Sequence, residues 1–161
     1  MEMDLKFRKG LSIDFAAILE LKKQIHNFHA FSRPDFYRDS ESPIEKTEFE
    51  NILKNESYNV FVVEHKTIIC GYAITKVVSF ENKPLIVNHK RLFIDDICVD
   101  PKYRKMGIGK FILENLETIC RSSGYSYLDL NVWNFNTTAI EFYKKNGMTE
   151  TIIRMEKVIE K

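Results

Sequence analysis

A run of apolar residues long enough to cross a membrane is the first thing this sequence lacks: no stretch approaches the roughly 20 residues that a spanning helix needs. The opening MEMDLKFRKG also has no apolar core of the signal-peptide kind, so the expectation is a cytoplasmic protein with no membrane partner. Charge of one sign is not in excess either. Against 24 Lys and Arg stand 23 Asp and Glu, so no overall field draws the chain to nucleic acid, and any basic patch has to be local. Cysteine is scarce, at three. Cys70, Cys98 and Cys120 are odd in number, far apart and set among apolar residues, which argues against a disulfide framework or a CxxC metal site and for buried thiols. His26 and His29 are spaced to share a helix face, but no carboxylate joins them at metal-ligand spacing. They read as a helix face near a pocket, and no metal is expected.

What is present is a chain of 161 residues, 44% hydrophobic and rich in aromatics, long enough for one sizeable core and too short for two. A single domain over 1–161 is the expectation. LKFRK (5–9) alternates like a strand. Ser12 is placed to cap a helix whose apolar residues Phe15, Ile18, Leu19, Leu21 and Ile25 recur at helical spacing. The polar, proline-marked stretch 32–43 breaks the pattern before a short helix around IEKTEFENILKN. YNVFVVEH and IICGYAITKVVSF flank a short polar turn and predict a hairpin. A loop, ENKPLIVNHK, precedes the strand RLFIDDICVD. Then follow a helix ending at Gly124, a strand YSYLDLNVW, a helix ending near Gly147, and ETIIRMEKVI as a last strand. This order predicts a mixed α/β sheet covered by helices.

Glycine is sparing too, at six, yet two open one helix in VDPKYRKMGIGKFIL. A helix N-terminus carries unpaired N–H groups and partial positive charge, and glycine lets a phosphate approach them. Gly107 and Gly109, with Arg104, Lys105 and Lys110 around them, form a candidate pyrophosphate cradle. A tight helix–strand packing with a solvated basic turn would need the same glycines. Walker A spacing is absent, since one residue separates the glycines and Phe111 follows Lys110; a dinucleotide fingerprint would need a third glycine near Ile112.

VDPKYRKMGIGKFIL resembles the cofactor motif of the GCN5-related N-acetyltransferases (GNAT), Arg/Gln-x-x-Gly-x-Gly/Ala after a strand, here Arg104, Gly107 and Gly109. NTTAIEFYKKNGM resembles the family's second motif, an Asn followed seven positions later by a Tyr. The resemblance covers residues 59–159 well and the first forty only in outline. It implies a mostly antiparallel mixed sheet with helices on both faces and acetyl-CoA as co-substrate. It also implies that Ile97, Cys98 and Val99 pair their backbone with the pantetheine arm. Arg104, Lys105, Met106, Gly107, Ile108, Gly109 and Lys110 would then hold the pyrophosphate, Asn136 would bond the pantetheine, and Tyr143 would face the sulfur. By the residues alone, Asn136 also fits a helix N-cap and Tyr143 a core aromatic. Lys144 and Lys145 fit either the cofactor's 3′-phosphate or a solvated helix end.

The chemistry asks for these residue types. An alkylamine with a pKa of about 10.4 arrives protonated, so it needs a base; the thioester oxygen needs a donor such as the Val99 N–H; and a phenol can protonate the departing thiolate. By the resemblance, Asp95 corresponds to the family's water-mediated base, with Asp96 as the fallback; by the residues alone, both also fit a role that only orients loops. In the branch that acetylates protein N-termini, a catalytic glutamate lies five residues before the motif asparagine. Asn131 stands there, which argues against that acceptor class. The expected activity is acetyl transfer to a primary amine of a small molecule or peptide by direct attack in a ternary complex. The alternative is a non-catalytic acyl-CoA-binding module. Phe28, Phe31, Phe36 and Tyr37 are candidates to line the acceptor side, and a homodimer is left open.

Overall fold

The computed structural model of the chain describes residues 4–159. The first three residues of the N-terminal stretch read above, and the last two of the domain expected over 1–161, lie outside them. The described residues fall into two compact units, divided between Asn131 and Val132.

The first unit is a five-stranded sheet in the order β1-β2-β3-β4-β5, formed by Leu5–Lys9, Tyr58–His65, Ile68–Phe80, His89–Val99 and Tyr127–Leu130. The first four strands run antiparallel, and β5 joins β4 in parallel. β2 and β3 form the expected hairpin, closed through Lys66 in the left-handed region at φ 58°. Three helices belong to this unit: α1 (Phe15–Ser32), α2 (Lys46–Lys54) and α3 (Ile108–Ser123).

Strand alternation assigns the faces. Val60 and Val62 of β2, with Tyr72 and Ile74 of β3, meet Ile18 and Leu21 of α1 and Phe49 of α2 in one buried cluster. The opposite face receives α3. A Cβ on Gly71 would touch Ile108 Cγ2 and Ile112 Cδ1 at 3.4 Å and the Cys98 carbonyl oxygen at 3.1 Å, so α3 sits closest where β3 has no side chain. Ile108, Ile112 and Leu116, spaced four apart, are fully buried, each contributing roughly 1.5–3 kcal/mol by leaving water. The sheet thus has helices on both faces, as a mixed and mostly antiparallel fold requires to hide two apolar surfaces.

Two expectations are corrected. Ser12 does not cap α1: it begins a 3-10 turn, Ser12–Asp14, and its hydroxyl lies 3.4 Å from Glu50 Oε1. Asp14 is the N-cap residue of α1 but makes no side-chain hydrogen bond to that helix; its carboxylate instead accepts the Leu11 N–H at 2.7 Å, at the start of the 3-10 turn, and holds the Arg8 guanidinium at 2.7 and 2.9 Å. The Arg8 hydrogen bonds hold the Asp14 carboxyl below the usual carboxylate range. The second correction concerns ETIIRMEKVI. The second unit contains α4 (Thr137–Lys145), but residues 150–159 form no strand. They carry strand-forming residues and pair with no strand among the described residues.

Candidate active site

β4 carries an extra residue. Ile74 of β3 pairs with Asp96 and Thr75 with Ile94, so Asp95 is left over as a β-bulge. The bulge changes the parity of the strand. Ile94 shares the α3 face with Thr75, whereas Asp96 and Cys98 share the α1 face with Ile74 and Tyr72. Asp95 itself is exposed.

The two carboxylates therefore meet different surroundings. Asp96 Oδ2 accepts the Tyr72 hydroxyl at 2.8 Å and forms an ion pair with Lys22 of α1. Burial pushes the Tyr72 phenol well above its ordinary pKa, and the neighbouring Asp96 adds to the effect, so it stays a donor. Neither Lys22 nor Tyr72 stood out in the sequence. Lys22 reads as a polar position between core residues of a helix, and Tyr72 as a strand aromatic. From Lys22 the same face of α1 continues, by helical spacing, through His26 and His29. His26 Nε2 is 2.8 Å from the Arg38 carbonyl oxygen, and the His29 ring stacks on Tyr37 at 5.4 Å. Burial lowers the His29 pKa, with Asp96 opposing and His26 and Lys22 assisting. Phe28, Phe31 and Phe36 on the same segment are 41%, 88% and 60% exposed.

Beyond the bulge, β4 and β5 part. β5 pairs with β4 only from Arg91 to Ile94, while β3 follows β4 as far as Val99. The Asp100 N–H donates to the Cys70 carbonyl at 3.0 Å, which makes that a hydrogen-bonded pair. Bonded and non-bonded pairs alternate along an antiparallel ladder. Gly71–Val99 and Ala73–Ile97 are then the non-bonded pairs, and the backbone groups of Ile97 and Val99 point away from β3, toward the edge that β5 has left. Arg104 agrees with this orientation, since its Nε donates to the Val99 carbonyl at 3.1 Å. The Cys98 side chain lies in the core, where burial pushes its thiol up to about 12. It is a poor nucleophile there.

The strand runs into a 3-10 turn, Pro101–Tyr103, and then into a tight turn with Lys105 at φ 62° and Gly107 at φ 85°. Residues alternating into the left-handed region aim successive N–H groups at one point, a concave anion site. α3 begins at Ile108, and its first internal bond is Phe111 N–H to Gly107 carbonyl at 2.9 Å. The N–H groups of Ile108, Gly109 and Lys110 precede that bond and have no partner within the helix. Among the described residues, chain neighbours aside, no atom comes within 4 Å of a Cβ built on Gly107, so the backbone there is open to approach. Met106 is 50% exposed beside it, and Lys110 pairs with Glu114 at 3.6 Å.

In the second unit, Asn136 is the N-cap of α4, its Oδ1 accepting the Ala139 N–H at 3.3 Å. Tyr143 lies seven positions on, near enough to two full turns to share the face that Asn136 opens. The structure thus groups Asp95 to Val99 on one strand, Arg104 to Lys110 on the turn and helix after it, and Asn136 with Tyr143 on α4. No group of three or more His, Cys, Asp or Glu able to hold a metal ion occurs among the described residues.

Comparison with known proteins gives a consistent result. The sequence profile of the acetyltransferase (GNAT) family matches residues 23–148. The ribosomal protein bS18-alanine N-acetyltransferase of Escherichia coli K12 is 33% identical over 110 residues, covering 68% of this chain and 66% of that enzyme. The L-ornithine N5-acetyltransferase of Arabidopsis thaliana is 27% identical over 124 residues, 74% of this chain and half of that one. The chain thus spans about two thirds or less of the length of these two relatives. Among solved structures, a mutant of the BH1408 protein from Bacillus halodurans superposes with a TM-score of 0.93 at 26% identity, over 96% of this chain and 99% of that one. Glucosamine-6-phosphate N-acetyltransferase from Arabidopsis thaliana gives a TM-score of 0.68 at 25% identity, over 97% and 99%.

Proposed function

Because the chain belongs to the acetyltransferase (GNAT) family, we propose that it moves an acetyl group from acetyl-CoA to a primary amine of a small molecule or peptide, by direct attack in a ternary complex. The observation that carries this reading is the continuity of two features. The β4 edge left unpaired beyond Ile94 leads directly into the left-handed turn and the opening of α3. A pantetheine chain has amides to pair with such an edge, and a pyrophosphate has the charge for such a turn.

Acetyl-CoA supplies an activated thioester, and the chain's own residues supply the rest. The Ile97 and Val99 backbone groups would hold the pantetheine amides, with one N–H turned to the thioester oxygen as it gains charge. Arg104 and Lys105, with the N–H groups from Met106 to Lys110, would bind the phosphates. Asn136 spends its Oδ1 on the helix cap, which leaves its amide donor for the pantetheine. Asp95, exposed at the bulge, would take a proton from the incoming amine through water. Asp96 has Lys22 and Tyr72 on one oxygen and serves instead to hold α1 against β4. As the C–N bond forms and the C–S bond breaks, Tyr143 would return a proton to the sulfur. A covalent route through Cys98 is disfavoured by its buried, raised thiol. The E. coli relative acts on an alanine of a ribosomal protein. Asn131, in place of the glutamate expected for N-terminal protein acetylation, favours a different acceptor here.

The test is acetyl-CoA-dependent release of free thiol across polyamines, aminoglycosides, amino acids and short peptides. Release with at least one amine class is the expected outcome. Tight CoA binding with no release from any amine would instead identify a binding module, and absence of both would overturn the reading.

A further inference from the structure

Two protons leave the acceptor nitrogen when an alkylammonium and a thioester become an amide and a thiol, one before the nitrogen can attack and one as the C–N bond completes. Asp95 accounts for a single proton. The face of α1 that meets Asp96 offers few groups for the other. Asp96 carries both the Tyr72 hydroxyl and Lys22 on Oδ2, Lys22 is a cation, and the Tyr72 phenol stays a donor. His26 donates from Nε2 to the Arg38 carbonyl at 2.8 Å, which ties the segment after α1 to the helix.

His29 stands two helical turns beyond Lys22 on the same face, near enough to Asp96 for the carboxylate to act on its charge. Its ring stacks on Tyr37, with centroids 5.4 Å apart and planes 24° from parallel, and that stack fixes the plane in which both ring nitrogens lie. The Arg33 N–H bonds the His29 carbonyl at 2.8 Å and the Arg33 side chain pairs with Asp35, so the helix end that carries the ring is fastened. Burial favours the neutral imidazole, with His26 and Lys22 assisting; Asp96 opposes them and supports the imidazolium once a proton arrives. A neutral imidazole is a stronger base than an ordinary carboxylate and is uncharged at pH 7.

We propose that His29 takes the first proton of the acceptor ammonium, ahead of the attack. An N–H bond of the ammonium breaks, an N–H bond forms on the imidazole, and the freed lone pair makes the C–N bond. Asp95 receives the second proton through water. Of the two, one balances the proton that Tyr143 gives to the sulfur, and the other reaches solvent when the imidazolium resets. This assignment rests on the acetyl transfer proposed above.

The test uses the full-length protein and an amine that gives thiol release. With acetyl-CoA saturating, His29→Gln should lower kcat about tenfold or more at pH 7 and leave the KM for acetyl-CoA within about twofold. The deficit should close toward a pH of about 10, where the amine loses its proton unaided. Lost packing alone would lower the rate equally at every pH. A second measurement works on the protein with His29 intact. The chain has four histidines, so proton NMR titration assigns His29 by elimination through His26→Gln, His65→Gln and His89→Gln. Its midpoint should lie below the ordinary 6.5 and coincide with the acid limb of kcat/KM for the amine, which reports the free enzyme. A His29→Gln profile parallel to the parent's, or a His29 midpoint apart from the kinetic limb, would each overturn the proposal and leave acetyl transfer standing. No thiol release from the parent with any amine would overturn the transfer reading, and this assignment with it.

Discussion

At the scale of single residues, one bulge gives the neighbouring carboxylates Asp95 and Asp96 different surroundings, the first exposed and the second held by Lys22 and Tyr72. Asp95→Asn is expected to lower turnover at neutral pH more than Asp96→Asn, and the deficit should shrink as pH approaches the amine's own pKa of about 10, where the acceptor loses its proton unaided. Turnover profiles against pH for both variants check this; equal profiles would remove Asp95 from the base role. Asp96→Asn should show itself differently, as lowered stability from an unpaired Lys22. Tyr143→Phe should keep its affinity for acetyl-CoA and lose about 10²–10⁴-fold in kcat at saturating co-substrate, the usual range for positioned acid catalysis. An unchanged kcat would make Tyr143 a packing residue. Asp14 gives a pH effect that belongs to folding alone. Its folded pKa lies below the unfolded value of 3.8, so its contribution is complete above pH 4 and is lost as pH falls through the folded pKa. Asp14→Asn should cost roughly 1.5–3 kcal/mol near neutrality and flatten the acid limb of the stability curve, as read by urea unfolding at several pH values.

At the scale of elements, the turn before α3 is the most exacting local structure. Gly107→Ala places a methyl where nothing stands among the described residues, but at a φ of 85°, which costs about 1–2 kcal/mol. The fold should survive and CoA binding should weaken at least tenfold by calorimetric titration; undiminished affinity in the folded variant would dismiss the phosphate cradle. Most elements were legible in the sequence because apolar periodicity and glycine stops reported them directly: β1, the β2–β3 hairpin, α2, α3 to Gly124 and α4 all stand where the pattern put them. The bulge was not legible, because FIDDICV alternates equally well with or without an extra residue, and only the pairing to β3 reveals which residue is left over. Lys22 and Tyr72 were hidden for a related reason. Their importance comes from meeting Asp96 across 74 and 24 residues of chain, and no local pattern records that meeting.

At the scale of the molecule, the one strand misread from sequence is also the segment with the most to explain. ETIIRMEKVI has the composition of a strand, yet a strand exists only by pairing, and the partner is not supplied within the described residues of the chain. The parity change at Asp95 reaches the whole fold as well. Removing one codon from the middle of a sheet strand ordinarily turns every following side chain to the wrong face. Here Ile94 and Asp96 already occupy successive rungs opposite Thr75 and Ile74, so an in-frame deletion of Asp95 would heal the ladder without inverting it. Within the interior of β4 that position alone is free of the reading-frame constraint imposed by the sheet. The extra residue is one that the register of the sheet can do without.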